Sequence, residues 1–122
     1  MSFFVTLEAK IDEFHGVLKT EFSKAFRLRG EWEVGIMSCY TPQCTGPLWV
    51  FSNLVDYSYV NNVPMQLMDV LEGDKLQVKK PMYCRVIKKT ISTINMEFKL
   101  EPKSEHFFEK TDIVCILHFR KA

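Results

Sequence analysis

Cys39 and Cys44, with four residues between them and Pro42 inside the interval, come nearest in this chain to the spacing of a metal-ligand or redox pair. Three readings stand for them: half a metal site, a loop disulfide, or the end of a buried strand. A tetrahedral structural site needs four ligands, usually from two clusters. Cys84 and Cys115 instead stand singly in strand-like runs, and His15, His106 and His118 have no partner four residues away. No metal and no other cofactor is therefore expected. A cysteine nucleophile needs an imidazole base, and folding can bring His118 near Cys84 or Cys39. His118, however, lies in the most apolar run of the chain, where a hydrogen-bonded structural histidine is the ordinary occupant. Glu31 and Glu33 flank Trp32 on the opposite strand face, which points them to solvent rather than around a glycosidic bond. Only five glycines are present, and they form neither a phosphate loop nor a nucleophile elbow. The residue types favour a protein that is not an enzyme and takes no small-molecule substrate.

Two surface constellations point to binding instead. Trp49, Phe51, Tyr57 and Tyr59 all occupy odd positions, so an unbroken strand would place them on one face as a stacking platform or as core. Trp49, Tyr57 and Tyr59, together with the loop from Tyr40 through Pro42 to Pro47, are the candidate interface residues. Lys79, Lys80, Arg85, Lys88 and Lys89 form a local basic cluster, a candidate nucleic-acid contact set against the simpler reading of a solvated face. The whole chain carries a net charge of +1, so no global field draws it to nucleic acid or an anionic membrane.

The elements that must position these residues are strands. Ile94, Met96, Phe98 and Leu100 alternate with Thr93, Asn95, Glu97 and Lys99, the period of a half-buried strand. Phe26 and Leu28 alternate with Arg27 and Arg29, and Trp32, Val34 and Ile36 with Glu31 and Glu33. Gly30 between them suits a bulge or bend in one long strand. Residues 48–55 and 113–119 are nearly continuous apolar runs, as expected of central strands covered on both faces. Shorter strands are expected at Phe3 to Leu7, Pro64 to Leu71 and Met82 to Lys88. Turn signals fall at Thr45-Gly46-Pro47, Asn61-Asn62, Glu72-Gly73-Asp74 and Glu101-Pro102-Lys103. Ile11, Phe14, Leu18 and Phe22 have helical spacing, and a short helix or a loop is expected there. About eight short strands with at most one short helix give an all-β, antiparallel sandwich or barrel.

At 122 residues the chain is expected to form a single domain, residues 1–122, with one core. The opening "MSFFVTLEAK" lacks the pattern of a signal peptide, and no window approaches the ~18 apolar residues of a membrane span. The expectation is synthesis in a reducing interior, without a membrane partner.

The strand-borne motifs also carry a resemblance. "FRLRGEWEVGIMSCYTP", with Leu28, Gly30, Trp32, Glu33, Val34 and Gly35 as its core, resembles a family of small proteins of Polinton (Maverick) DNA elements and their adintovirus-like relatives. So does the closing "LHFR", Leu117 to Arg120, with the alternating strand before it and the opening "MSFFVTL". The resemblance implies a jelly-roll-like sandwich in a minor capsid, vertex or other virion-associated component, located in a virion or a host-cell interior. Such a protein acts by self-assembly into a homo-oligomer or by docking on other capsid proteins. The alternative is an accessory module that binds protein or nucleic acid.

Overall fold

The structure is a computed structural model that describes residues 1–10, 16–40, 47–72, 78, 80–100 and 112–122. Among the described residues there are ten strands: β1 (Ser2–Ala9), β2 (Val17–Arg27), β3 (Trp32–Tyr40), β4 (Leu48–Ser52), β5 (Ser58–Val60), β6 (Val63–Met65), β7 (Leu67–Leu71), β8 (Cys84–Arg85), β9 (Thr90–Lys99) and β10 (Ile113–Lys121). Five antiparallel pairs, β1 with β10, β2 with β9, β3 with β8, β4 with β7 and β5 with β6, nest one inside the next. The chain is thus one long antiparallel ribbon whose tip is the β5–β6 hairpin. Folding that ribbon over itself makes β3 the second neighbour of β10 and β4 the second neighbour of β9. Two four-stranded sheets result, β1-β10-β3-β8 and β2-β9-β4-β7, packed as a sandwich. This is the strand order of a jelly roll.

The tip is set by local chemistry. Val60 and Val63 close the hairpin around Asn61 and Asn62, whose φ values of 51° and 65° fit a two-residue turn with both central residues left-handed. Asn tolerates that region better than most residues, so the Asn61-Asn62 signal specifies the turn.

The core lies between the sheets. Trp32, Val34 and Ile36 from β3, Ile94, Met96 and Phe98 from β9, and Ile113, Cys115, Leu117 and Phe119 from β10 are all buried. At one end the core is aromatic: Phe3 stacks on Phe119 with ring centroids 4.8 Å apart, meets Phe26 edge-on at 5.8 Å and leans on Trp32 at 5.5 Å. Phe26 in turn meets Phe22 edge-on at 5.2 Å. These five rings tie β1, β2, β3 and β10 together, and both sheets contribute to them.

Several expectations are corrected. Residues 26–36 are not one strand: β2 and β3 lie in different sheets, and Gly30, at φ 84°, sits in the corner between them. From Val17 onward the chain is strand, so Leu18 and Phe22 are not on a helix; four-residue spacing also fits the period of two, and Gly16 at φ 92° leads into the strand. Ile11 and Phe14 lie outside the described residues, among which there is no helix. Leu100 lies beyond the end of β9 and is exposed. The apolar run 48–55 ends its strand at Ser52. There Asn53 turns, and its side chain continues the ladder by donating to Thr93 O (3.1 Å) and accepting from Asn95 N (3.0 Å). Residues 64–71 divide into β6 and β7 at Gln66, whose carbonyl accepts from Ser52 N (3.0 Å) and whose amide donates to Val55 O (3.0 Å). The two apolar runs do supply the sheet interiors, since β4 and β10 each have strands on both sides.

Candidate functional site

The two motif strands are cross-strand neighbours. Glu33 faces Arg120, Val34 faces Phe119, Gly35 faces His118 and Ile36 faces Leu117, although more than eighty positions separate them in the chain. The alternation gives each residue a side. Val34, Ile36, Leu117 and Phe119 go into the core, and Glu33, Gly35, His118 and Arg120 line the outer face.

On that outer face Tyr83 lies over Gly35. A Cβ built on Gly35 would stand 3.1 Å from Met82 O and 3.2 Å from the Tyr83 ring, so a larger residue fits only if that covering segment shifts by a few tenths of an ångström. Tyr83 Oη and His118 Nδ1 are joined by a 2.8 Å hydrogen bond, with the imidazole tautomer deciding which group donates. Phe4 from β1 stacks on the imidazole at 4.6 Å. The Arg120 guanidinium sits 3.4 Å above the Tyr83 ring centroid while its Nε donates to Glu33 Oε1. One half-exposed cluster thereby joins β1, β10, β3 and the segment before β8. Trp32 fixes the start of β3 from below, donating its indole N–H to Arg29 O at 2.8 Å.

The cysteines are on the other side. Cys39 and Cys115 are register partners, both buried, because Met37 is an extra residue opposite β10 that shifts the alternation and turns Cys39 inward. A hydrogen bond to Cys39, followed by burial, pushes the Cys115 thiol well above its ordinary range. Cys84 pairs with the inward Val34 and donates to Met68 O at 3.3 Å. All three described thiols thus face inward while His118 faces out, and the sheet separates them from the imidazole. Cys39 neighbours Cys115 at the end of β3, and the Cys39–Cys44 spacing falls partly outside the described residues, since Cys44 is not among them.

At the opposite edge Cys84 stands near Asp69 of β7. Burial raises the Asp69 carboxyl above its ordinary value of 3.8, opposed by the hydrogen bond that Val70 N donates to Oδ1 (2.7 Å). The folded state therefore holds this proton more tightly than the unfolded chain does. The associated stability is complete below 3.8 and is lost as pH rises through the raised folded value. Asp69→Asn, whose amide oxygen can keep the Val70 bond, is expected to raise the urea midpoint at about pH 7 and leave it unchanged near pH 3.

The sequence-derived interface residues are divided. Tyr40 is exposed at the end of β3 and, as the partner of Val114, points from the outer face of the β1-β10-β3-β8 sheet. Trp49, partner of Lys99, points from the outer face of the other sheet, where Lys99 Nζ lies 5.4 Å from the Phe51 centroid. Tyr57 and Tyr59 belong to neither strand: β4 stops at Ser52, and the two tyrosines stand exposed before and within β5. The four odd positions therefore form no single platform, and Tyr40 is on the far side from Trp49. Pro42 lies outside the described residues.

The basic cluster changes membership. Lys79 lies outside the described residues and Lys80 and Lys88 are exposed, while Lys89 donates to Gly30 O at the corner and Arg85 pairs with the adjacent Glu31. There Lys89 shares a cleft with Arg27 and Arg29, which were legible as the outward positions flanking buried Leu28 yet remote in sequence from the lysines. Tyr83 and Phe4 had no local signal, because their roles come from the strands they cover. No protein-family model matches the chain, and no curated protein is significantly similar to it in sequence.

Proposed function

We propose that this chain is a non-enzymatic structural component of a virus or virus-derived particle, and that it works by packing against further copies of itself through the β1 edge. The condition of that edge carries the reading. β1 is eight residues long, has no proline, carries Glu8 as its one charge, and pairs only with β10 among the described residues. Open edges of that length invite strand addition and are usually guarded. The other edges of the two four-stranded sheets are guarded: the pairing of β2 with β9 is interrupted between Glu21 and Phe26 and β2 presents Lys19, Glu21 and Lys24, β7 is short and carries Asp69, and β8 has two residues; the strands of the small β5–β6 sheet have three residues each. Phe4, 60% exposed, stands beside the open edge on the outer face.

A second copy meeting β1 about a two-fold axis gives the same surface on both partners, so one edge suffices for a closed contact. A stable contact needs ~800 Å² per partner, more than one strand edge supplies. Phe4 and Tyr40 on the same sheet face extend the area, and Tyr57 and Tyr59 offer a second contact. The jelly-roll order and the resemblance of the Trp32–Gly35 and Leu117–Arg120 strands to Polinton-type proteins support a particle role, with virion or host-cell interior as the location. The alternative, an accessory protein- or nucleic-acid-binding module, draws on a different part of the surface.

Light scattering on a sizing column tests the proposal. The wild-type protein is expected to grow beyond the monomer as concentration rises, while Phe4→Lys, which adds an edge-guarding charge, stays monomeric. Two monomers at every concentration would reject it.

A further inference from the structure

We infer that the sandwich end at Gly30 is a binding site for the phosphodiester backbone of a nucleic acid. Arg27, Leu28, Arg29, Gly30 and Lys89 line an open cleft of about 410 Å³ at the corner where the chain passes from one sheet to the other. Arg27, the last residue of β2, and Arg29, just past its end, are both exposed, with Leu28 buried between them. Leu28 N donates to Lys89 O at 2.7 Å, which holds the segment before β9 alongside the two arginines. Gly30 leaves the middle open, with nothing within 4 Å of where a Cβ would stand.

The charge balance of the cleft is positive. Lys89 Nζ donates to Gly30 O at 2.7 Å and lies 3.7 Å from Glu31 Oε1, while the other oxygen of Glu31 is 3.1 Å from Arg85. One carboxylate thus answers two cations. Arg27, Arg29 and Lys88 have no ion-pair partner among the described residues. Unpaired guanidiniums at the mouth of a cleft offer a planar fork suited to phosphate oxygens.

Lys88, next in the chain to Lys89, is exposed, and Arg85 shares Glu31 with Lys89, so further cations stand close to Lys89, which suits a chain of phosphates better than one isolated anion. Among the described residues no aromatic side chain lines the cleft. Binding should consequently follow the backbone, with little sequence preference and with counterion release as its main driving term.

The probe is a fluorescently labelled DNA duplex, read by anisotropy at several salt concentrations from about 50 to about 200 mM, with inorganic phosphate and anionic phospholipid vesicles as separate arms. Arg27→Gln/Arg29→Gln is expected to weaken duplex binding at least about tenfold and to reduce the salt slope by about 1.8, the share of two phosphate contacts. Lys10→Gln/Lys19→Gln removes the same charge elsewhere and should leave binding near wild type. Arg27→Lys/Arg29→Lys keeps the charge and should retain most of it, which separates phosphate contact from any folding defect. Equal losses in the two charge-matched variants would overturn the inference. So would absence of duplex binding at low salt, saturation by inorganic phosphate alone at low concentration, or vesicle binding in its place. Oligomeric state is measured independently, so failure here leaves the β1-edge reading standing, and the converse holds.

Discussion

Replacing Phe119 by Ala is expected to lower folding stability by about 3–5 kcal/mol, the range for deleting a fully buried phenyl ring. The site explains why the upper part of that range applies. Phe119 has no exposed surface, lies nearly parallel to Phe3 at 4.8 Å, and presents its edge to Phe26 at 6.5 Å. Its removal takes a ring from a cluster that both sheets share, and β10 is the strand that holds β1 to β3. Its ring neighbours Phe3 and Phe26 cannot fill the gap without leaving their own ring contacts. Urea denaturation measures the loss. Phe4→Ala is the comparison: its ring is on the same strand as Phe3 but points outward, and its cost should stay within about 1 kcal/mol. Similar losses at the two positions would contradict the assignment of inward and outward faces.

Gly35→Val should cost about 1–3 kcal/mol by overpacking, even though valine ordinarily suits a strand better than glycine does. A Cβ at this position meets a backbone carbonyl at 3.1 Å and an aromatic ring at 3.2 Å, both closer than an ordinary van der Waals contact. The segment carrying Met82 and Tyr83 must lift, which strains the short β8 pairing and separates Tyr83 from His118 and Arg120. A double-mutant cycle with Tyr83→Ala tests that explanation. Removing the ring should recover part of the cost of Gly35→Val, leaving the Met82 carbonyl contact as the remainder. Strict additivity would mean that the two residues do not meet.

The architecture was largely visible in the sequence, since period-two alternation survives wherever one sheet face is buried. The β9 pattern from Ile94 to Phe98 and the β3 pattern from Trp32 to Ile36 appear in the structure as buried inner faces. What alternation does not encode is where a strand changes sheet. Gly30 reads locally as a bend in one strand, and only the pairing of β2 with β9 and of β3 with β10 shows it to be a corner. The Met37 bulge is hidden for the same reason: one unpaired residue reverses inward and outward for Cys39 and Tyr40, and nothing in their neighbours announces it.

The candidate sites were legible in pieces. Glu33, Gly35, His118 and Arg120 were present in the two motifs, but their meeting depends on a β3–β10 register set by distant strands. Arg27 and Arg29 were legible as outward residues and Lys89 as part of a basic run. Joining them requires the Leu28–Lys89 hydrogen bond, a contact between segments about sixty residues apart. Tyr57 and Tyr59 failed as partners of Trp49 because odd numbering has meaning only within one strand, and β4 ends before either is reached.

Hydrogen exchange of the β1 amides as a function of protein concentration tests most directly the claim that this edge is the assembly surface. Those β1 amides that point away from β10 should exchange readily in dilute protein and become protected as copies associate, while the exchange of β2 and β7 stays constant. A β1 exchange pattern that does not change with concentration, over a range where the protein is shown to associate or up to the highest attainable concentration, would contradict the account.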